Sequence, residues 1–269
     1  MDSTRYGRYF LMSDLDGTLF ASSSQVDRSN LPSLDAFMRH GGLFGISTGR
    51  TPANTLSLLG ALRPNMPSIF LNGSLVYDTV RRRVLKTEEL EQHTALRIAQ
   101  ICLLRHPAVN VHVYDAEHTC IVSPESLADP KWTASHQPVV FTSVDVAKQA
   151  PWLKMMLIGT HAELADIQKE IMKENLLEEN RAVFSSPVFL EILPKKASKG
   201  SMLSYIRDAL FPNRTCCAIG DYYNDIELLQ EADVSAVPAN GIEELKRIAT
   251  YVVSDNNHGA VADFIDKLR

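Results

Sequence analysis

Near its start the chain carries the stretch Tyr9-Phe-Leu-Met-Ser-Asp14-Leu-Asp16-Gly-Thr-Leu19, in which a short apolar run passes directly into an acidic turn with a glycine. A short apolar run bounded by a turn is typical of a buried strand followed by a loop. Because the turn begins where the strand ends, Asp14 and Asp16 can both face one site at the edge of a sheet. The stretch therefore predicts a buried strand that carries two carboxylates at its carboxyl end.

The segments that follow alternate between predicted strands and predicted helices. Apolar runs predict strands over residues 43–48 and 68–71, and the spacing of apolar residues, with glycine and proline at the ends, predicts helices over residues 33–40 and 52–62. A strand–helix–strand–helix–strand order favours a parallel sheet with helices on its faces. From residue 189 onward the same alternation resumes.

The region between these two stretches has a different pattern. Several of its predicted strands alternate apolar and polar residues, and it contains an amphipathic helix. We therefore predict an α/β fold with a doubly wound, Rossmann-like parallel-sheet core formed by residues 1–83 and 189–269. A separate α+β domain is predicted to be inserted over residues 84–188.

The composition excludes several classes of protein. The 269 residues are 45% hydrophobic and 22% charged, which fits one or two soluble globular domains and excludes disordered, collagen-like and coiled-coil proteins. The net charge of −5 argues against nucleic acid or an anionic membrane as a partner. No apolar run reaches the ~18 residues of a membrane span. The N-terminal segment has too short an apolar stretch for a signal peptide.

The four cysteines, Cys102, Cys120, Cys216 and Cys217, are scattered and form no CxxC pair. Such a set does not make a disulfide framework in a chain of this length, so we expect reduced core cysteines in a cytoplasmic protein. Cys216 and Cys217 are neighbours in a predicted strand and are expected to point to opposite faces of its sheet.

Acidic and small polar side chains collect at the carboxyl ends of the predicted strands, where ligands bind in open parallel sheets. Four separate loops contribute Asp14, Asp16, Thr48, Asn72, Asp221, Asn224 and Asp225, and Lys199 precedes a nearby predicted helix. Clustered carboxylates repel one another and therefore need a counter-charge. A hard divalent cation supplies that charge, and oxygen ligands with room for water favour Mg²⁺.

This set of side chains favours phosphoryl transfer. A carboxylate beside Mg²⁺ can attack phosphorus and form an aspartyl phosphate, and the transferring oxygens then need their charge neutralised. Lys199 and the hydroxyl of Thr48 can contribute to that neutralisation. Asp16 can protonate the leaving alcohol and then activate water.

At these residues the sequence closely resembles the haloacid dehalogenase-like hydrolase superfamily, and within it the Cof-type branch. The type IIB cap of that branch is an α/β module inserted in the second half of the core. The matching motifs follow in order along the predicted core: Asp14-Leu-Asp-Gly-Thr-Leu19, Ser47-Thr-Gly-Arg50, Asn72-Gly73, Leu190-Glu-Ile-Leu-Pro194, Ser198-Lys-Gly200, Gly220-Asp-Tyr-Tyr-Asn-Asp225, Tyr251-Val-Val-Ser254 and Asn257-His-Gly-Ala-Val261. The first motif alone is moderately specific, whereas all of them in this order are very specific.

The resemblance implies roles for the acidic residues. Asp14 would be the nucleophile and a metal ligand. Asp16 would be the general acid/base, and its backbone carbonyl would also bind the metal. Asp221 would be a further metal ligand, and Asp225 would support the waters around the metal.

The resemblance also implies a phosphate-holding set formed by Thr48, Lys199, Asn72 and Asn224. The implied activity is hydrolysis of a small phosphorylated metabolite such as a sugar phosphate, with Mg²⁺ as cofactor and the inserted domain as a cap that sets specificity. No nucleic-acid or membrane partner is expected. The protein is expected to be a monomer or a weak homo-oligomer.

Some residues keep two interpretations on the sequence alone. The stretch Val237-Pro-Ala-Asn-Gly241 departs from the Met-Gly-Asn-Ala type of turn found in the branch, although Asn240 is retained. Arg50 can contact the substrate or form a structural ion pair, and the ion pair is favoured. For Trp132 and Trp152, packing is favoured over lining a substrate pocket.

Three other functions remain as alternatives. A phosphomutase would return the phosphate to a second hydroxyl of its substrate. A receiver-type signalling module shares an acidic cluster, a threonine and a lysine on a doubly wound sheet, but Asp16 would hydrolyse its phosphorylated form. A catalytically silent binding protein is disfavoured by the intact acidic set.

Overall fold

The computed structural model describes residues 4–135 and 138–268, and within them no helix is both long and apolar enough to cross a membrane. The strands are β1 (Tyr9–Ser13), β2 (Leu43–Ile46), β3 (Ser68–Phe70), β4 (Leu75–Asp78), β5 (Arg83–Thr87), β6 (Asn110–Tyr114), β7 (Thr119–Ile121), β8 (Val139–Phe141), β9 (Lys154–Ile158), β10 (Asn180–Ser186), β11 (Phe189–Pro194), β12 (Thr215–Ile219), β13 (Val234–Pro238) and β14 (Tyr251–Val253). The α-helices are α1 (Asn30–Arg39), α2 (Pro52–Leu58), α3 (Gln92–Arg105), α4 (Pro130–Ser135), α5 (Val144–Ala147), α6 (His161–Lys173), α7 (Lys199–Tyr205), α8 (Ile226–Glu231), α9 (Glu243–Ile248) and α10 (Ala260–Lys267).

The chain forms two compact units. The first unit contains the chain up to Lys86 and from Ser198 onward, and the second unit is Thr87–Ala197. The sequence predicted a return to the core at residue 189, but β11 pairs antiparallel with β10 and β9 in the sheet of the second unit. Its residues Leu190 and Ile192 pack in the apolar core of that unit, which keeps the segment there. Residues 1–3, 136, 137 and 269, which fall within the predicted domain ranges and the N-terminal segment, lie outside the described residues.

The first unit is built on a parallel sheet of five strands in the order β14-β13-β12-β1-β2. Its strand β1 lies between β12 and β2, and its residues Phe10, Leu11 and Met12 are completely buried. A parallel strand that is covered on both faces is a continuous apolar run in the sequence. This is why the run at residues 9–13 predicted the strand correctly.

Helices cover both faces of this sheet. One apolar cluster contains Leu11 and Cys217 together with side chains from α1 and α10. A second cluster contains Met12 and Cys216 together with side chains from α7, α8 and α9. The two adjacent cysteines therefore point to opposite faces, as predicted, and the chain's four cysteines are free and buried. The doubly wound α/β class is confirmed.

The third predicted strand of the main sheet belongs to a different sheet. Strand β3 pairs antiparallel with β4 in the three-stranded sheet β3-β4-β5, and it meets the end of β2 through an isolated bridge between Ser47 and Ile69. The physical reason is a reversal of the chain at Leu71, Asn72 and Gly73, where φ is 52°, 56° and 96°. Three successive residues in the left-handed region turn the backbone back on itself.

The second unit has a six-stranded sheet in the order β10-β11-β9-β6-β7-β8, in which only the described pairing of β7 with β8 is parallel. On one face Val111 and Leu157 pack with side chains from α3 and α6. The alternation of apolar and polar residues in this region is typical of half-exposed strands, but every position in β6 and β7 is buried. Polar side chains are buried in this sheet as well, including Lys154 and Glu191, whose Nζ and Oε2 lie 2.9 Å apart.

The buried face of α6 provides a test of the second unit's core. Ile167 is completely buried there, and its replacement by alanine leaves a cavity that should lower the free energy of unfolding by about 2–5 kcal/mol. Both tryptophans of the chain, Trp132 and Trp152, lie in the second unit, so tryptophan fluorescence during urea unfolding follows this unit. The control variant is Lys169→Ala, on the exposed side of the same helix. It should change the free energy of unfolding by no more than about 0.5 kcal/mol. Equal losses in the two variants would contradict the assigned core.

Candidate active site

The carboxyl ends of three neighbouring strands lie level with one another. The backbone N–H of Asp14, just after β1, donates to the carbonyl of Ile219 at the end of β12 over 2.9 Å. The N–H of Ser47, just after β2, donates to the carbonyl of Ser13 over 2.9 Å. The loops that leave β1, β2 and β12 therefore start at the same edge of the sheet, as the sequence predicted.

Three of the predicted carboxylates form one cluster at this edge. Asp14, Asp221 and Asp225 each offer a carboxylate oxygen, and these oxygens all lie within 4.8 Å of one another. Asp14 and Asp225 are buried, and Asp221 is partly exposed. Oxygen ligands at this spacing suit a hard divalent cation.

A buried lysine joins two members of this cluster. Lys199 begins α7 and is 1% exposed, and its Nζ donates to Oδ1 of Asp14 over 2.6 Å and to Oδ1 of Asp225 over 2.7 Å. Burial alone would lower the pKa of Lys199, but the two carboxylates outweigh burial and raise that pKa. Lys199 is therefore a fixed positive charge beside Asp14. The preceding residue, Ser198, starts the helix by accepting a hydrogen bond from the N–H of Ser201 over 3.0 Å.

The carboxylates of the cluster are costly to ionise together. Burial raises the pKa of Asp14 well above its ordinary value, Asp225 and Asp221 raise it further, and Lys199 opposes the rise. Burial and the charge of Asp225 raise the pKa of Asp221 to about 6. A cation bound among these oxygens would stabilise their ionised forms. Both the spacing of these carboxylate oxygens and their electrostatics therefore fit a bound metal ion.

Asp225 also shapes the loop that carries Asp221. Its Oδ2 accepts hydrogen bonds from the N–H groups of Asp221 over 3.0 Å and Tyr222 over 3.3 Å. A side chain at Gly220 would overlap the carboxylate of Asp225, so glycine is required at this close approach. Because Oδ1 of Asp225 contacts Lys199, both carboxylate oxygens of Asp225 already have protein partners.

The turn after Asp14 is fitted to Asp221. The hydroxyl of Thr18 donates to Oδ1 of Asp221 over 3.1 Å. Gly17 has a φ of 83°, and an added Cβ there would overlap Oδ2 of Asp221. The carbonyl of Gly17 accepts a hydrogen bond of 2.8 Å from Nδ2 of Asn240. Asn240 therefore holds this turn in place, although the stretch Val237–Gly241 in which it lies departs from the turn found in the branch.

Asp16 lies in a different environment from Asp14. Its side chain is 52% exposed, and its two oxygens accept hydrogen bonds from Nη2 and Nε of Arg50 over 2.7 and 2.8 Å. Arg50 also donates from Nη1 to Oδ1 of Asn54 over 2.9 Å. The contact with Asp16 raises the pKa of Arg50, although burial opposes the rise. Of the two interpretations of Arg50, the structure contains the ion pair, and its partner is Asp16.

The remaining predicted residues form a chain of hydrogen bonds beside the acidic cluster. The hydroxyl of Thr48 accepts from the N–H of Arg50 over 3.2 Å, and the carbonyl of Thr48 accepts from the N–H of Asn72 over 3.1 Å. Nδ2 of Asn224 then donates to Oδ1 of Asn72 over 3.1 Å. Thr48, Asn72 and Asn224 therefore come together although they follow three different strands.

The sequence motifs do not include every residue that supports the site. The N–H of Asn256 donates to Oδ1 of Asn240 over 2.9 Å, and its Nδ2 donates to the carbonyl of Phe20 over 2.9 Å. Asn256 follows β14 and Asn240 follows β13, so both stand at the strand edge that carries the predicted site. That position is the signal that would have identified Asn256. By contrast, Trp152 packs in the second unit and donates from Nε1 to the carbonyl of Ala147 over 2.9 Å, in line with its predicted packing role.

A family model described as haloacid dehalogenase-like hydrolase matches residues 11–265. The chain belongs to the haloacid dehalogenase-like hydrolase family. The match confirms the family predicted from the sequence motifs, including its Cof-type branch.

Known relatives of this haloacid dehalogenase-like hydrolase match it along nearly its whole length. Pyridoxal phosphate phosphatase YbhA of Escherichia coli is 27% identical over 268 residues, which are 94% of this chain and 95% of the relative. The 5-amino-6-(5-phospho-D-ribitylamino)uracil phosphatase YwtE of Bacillus subtilis is 26% identical over 272 residues, which are 95% of this chain and 96% of the relative. A crystal structure of a haloacid dehalogenase-like hydrolase from Bacteroides thetaiotaomicron has the same fold, with a TM-score of 0.84, 21% identity and coverage of 97% of this chain and 99% of the other. The chain is an enzyme of the phosphatase type.

The contact between Gly17 and Asp221 can be tested with a matched pair of glycine substitutions. Gly17 and Gly60 both have positive φ, but an added Cβ at Gly60 meets no atom within 4 Å. Alanine at either position should lower the free energy of unfolding by about 1–2 kcal/mol because of the backbone conformation. Gly17→Ala alone should displace the Asp221 carboxylate and reduce hydrolysis of a generic phosphate ester by at least about tenfold. A fully active Gly17→Ala enzyme would show that this close approach is not needed.

Proposed function

We propose that this enzyme hydrolyses small phosphomonoesters with Mg²⁺ as cofactor and with Asp14 as the nucleophile that becomes an aspartyl phosphate. The observation that carries the proposal is the cluster of Asp14, Asp221 and Asp225, with the buried Lys199 donating to two of its members. Three carboxylates against one ammonium leave two negative charges when all are ionised. A divalent cation matches that charge.

The metal would be held by the carboxylates of Asp14 and Asp221 and by the backbone carbonyl of Asp16. Mg²⁺ supplies a Lewis acid that neutralises charge on the phosphoryl oxygens. Asp225 suits an indirect role, because both of its oxygens already have protein partners. Ligands of this hard, oxygen-only type favour Mg²⁺, which keeps several waters when it is bound by one or two carboxylates.

In the first step a carboxylate oxygen of Asp14 attacks phosphorus. The bond between phosphorus and the alcohol oxygen breaks, and the protonated form of Asp16, freed from its hydrogen bonds with Arg50, donates its proton to that oxygen. In the second step Asp16 takes a proton from water, the water oxygen attacks phosphorus, and the bond between phosphorus and Asp14 breaks. Lys199 lies 2.6 Å from Asp14 and stabilises negative charge in both steps.

The phosphate would be held by Lys199 together with Thr48, Asn72 and Asn224. The hydrogen bonds that link Thr48, Asn72 and Asn224 fix their relative positions before substrate arrives. Such preorganisation lowers the cost of binding a phosphoryl group in the orientation needed for attack.

The second unit would act as the cap that sets substrate specificity, over residues that we predicted as 84–188. A cap favours small soluble substrates and excludes water from the reaction. The relatives described above are named for pyridoxal phosphate and for a phosphoribitylamino-uracil. We propose that this chain also acts on small phosphorylated metabolites of this kind, including sugar phosphates. We further propose a cytoplasmic enzyme that is a monomer or a weak homo-oligomer. Four buried free cysteines support a reducing compartment.

Substitution of the two aspartates after β1 tests the mechanism. Asp14→Asn should abolish release of inorganic phosphate from a panel of phosphorylated metabolites with Mg²⁺, because an amide cannot replace the nucleophile. Asp16→Asn should slow turnover by about 10²–10⁴-fold and accumulate a phosphorylated protein that mass spectrometry detects. The control is Asp35→Asn, an exposed aspartate on α1 paired with Arg39, which should keep full activity.

Two results would overturn this assignment. Normal turnover by Asp14→Asn would remove Asp14 as the nucleophile. Transfer of phosphate to a second hydroxyl of the substrate, without release of inorganic phosphate, would make the enzyme a phosphomutase.

Mg²⁺ should bind more weakly at low pH, because Asp221 must lose its proton before it can bind the cation. Its pKa is raised to about 6 in the metal-free protein, so protons compete with the cation below that pH. Titration calorimetry should give an affinity at least about tenfold weaker at about pH 5 than at about pH 7.5, because roughly a tenth of Asp221 is ionised at the lower pH and the raised pKa of Asp14 adds to the competition from protons. Equal affinities at the two pH values would contradict a role for Asp221 as a ligand that must lose its proton.

A further inference from the structure

Two tyrosines on the loop of the acidic cluster are unusually exposed. Tyr222 and Tyr223 are each 54% exposed, more than any other phenylalanine, tyrosine or tryptophan in the part of the chain that the structure describes. Their ring centroids are 5.0 Å apart and their planes meet at 76°, which is an edge-to-face pair. In such a pair, the ring that points its edge at its partner keeps both of its own faces uncovered by that partner.

The pair adjoins residues of the proposed phosphoryl-transfer site along the chain. Tyr222 and Tyr223 fill the two positions between Asp221 and Asn224. Consecutive Cα atoms are ~3.8 Å apart, so the Cα atoms of the tyrosines lie within ~4 and ~8 Å of the Cα of Asp221. Side chains as long as tyrosine can therefore reach the space in front of the acidic cluster.

The backbone that carries the rings is held firmly. The N–H of Tyr222 donates to Oδ2 of Asp225 over 3.3 Å, and the N–H of Asp225 donates to the carbonyl of Tyr222 over 2.9 Å. Asp225 itself is completely buried and is paired with Lys199. Binding to a rigid, preformed surface loses less conformational entropy than binding to a mobile loop.

The chemistry of the rings indicates which part of a substrate they would contact. The face of a tyrosine ring carries partial negative charge, which does not suit a phosphate group. The proposed phosphate site is already formed by Lys199, the hydroxyl of Thr48 and the amides of Asn72 and Asn224. A flat aromatic group on the alcohol side of the ester, by contrast, gains both apolar contact and favourable ring–ring geometry.

We propose that Tyr222 and Tyr223 form an aromatic wall that binds the leaving group, so that the enzyme prefers phosphate esters whose alcohol carries an aromatic or heteroaromatic ring close to the phosphate. This inference rests on the proposed function of the same site. It adds a substrate class and two residues that recognise it.

The test compares two esters that differ in aromaticity but little in size, benzyl phosphate and cyclohexylmethyl phosphate. The wild-type enzyme with Mg²⁺ should have a KM for benzyl phosphate about three- to tenfold lower than for cyclohexylmethyl phosphate. The double variant Tyr222→Leu/Tyr223→Leu should lose this preference by a rise in the KM for benzyl phosphate, with kcat for either ester changed by less than about twofold. The double variant Tyr222→Phe/Tyr223→Phe should retain the preference, because it keeps both rings and removes only the hydroxyls.

The control variant is Tyr251→Leu. Tyr251 is 36% exposed and stands on β14, which β13 separates from the strand β12 that leads to the acidic cluster, and its ring packs against Phe264 of α10 with 6.5 Å between centroids. Its loss should therefore leave both KM values unchanged. Equal KM values for the two esters in the wild type would overturn the inference while leaving the phosphatase intact. A leucine double variant that keeps the preference, or that raises both KM values equally, would also overturn it. Failure of the wild type to hydrolyse either ester or any other phosphomonoester would instead show that the proposed function is wrong, and the inference with it.

Discussion

The site depends on the buried contact of Lys199 with Asp14 and Asp225. Taking ions out of water costs several kcal/mol for each ion, and the cost is recovered only when geometry is good and every charge is paired. Here one ammonium lies 2.6 and 2.7 Å from two carboxylates that come from β1 and from the loop after β12. Loss of Lys199 would leave two buried carboxylates without a positive partner, whereas loss of either carboxylate would still leave one ammonium–carboxylate pair. The same interaction therefore holds α7 against the sheet and positions the proposed nucleophile, so that folding and catalysis share one constraint.

Much of the first unit could be predicted because its central strands are buried on both faces. Continuous apolar runs mark β1, β2 and β12, and the residue after each run must lie at the carboxyl edge of the sheet. Asp14, Thr48 and Asp221 were located in this way from the sequence. The reversal after β3 has a partial signal in the sequence, because Asn72-Gly73 is typical of a hairpin turn, whereas the φ of 52° at Leu71 belongs to a residue type that gives no signal of a left-handed conformation.

The second unit was harder to predict because polar residues are buried in its sheet. In β11, Leu190 and Ile192 face the apolar core while Glu191 pairs with Lys154, so the segment fits either sheet by composition and only strand pairing decides between them. The contacts of Asn240 and Asn256 in the first unit could not be predicted either, because they join residues that are far apart in the sequence. Asn256 binds the carbonyl of Phe20, 236 positions away in the sequence, and no local pattern reports such a contact.

The two aspartates of the first motif are only two positions apart in the sequence, but their side chains differ strongly in burial. Asp14 is 6% exposed, lies against Lys199 and has a raised pKa, whereas the side chain of Asp16 is 52% exposed and is held by Nε and Nη2 of Arg50. Carboxylates placed in contrasting environments can take different roles at one pH. A nucleophile benefits from being fixed and shielded from water, while an acid/base group must reach both the leaving oxygen and the incoming water. The direction of the chain after β1, set by the turn at Gly17 and by the salt bridge to Arg50, is what separates the two environments.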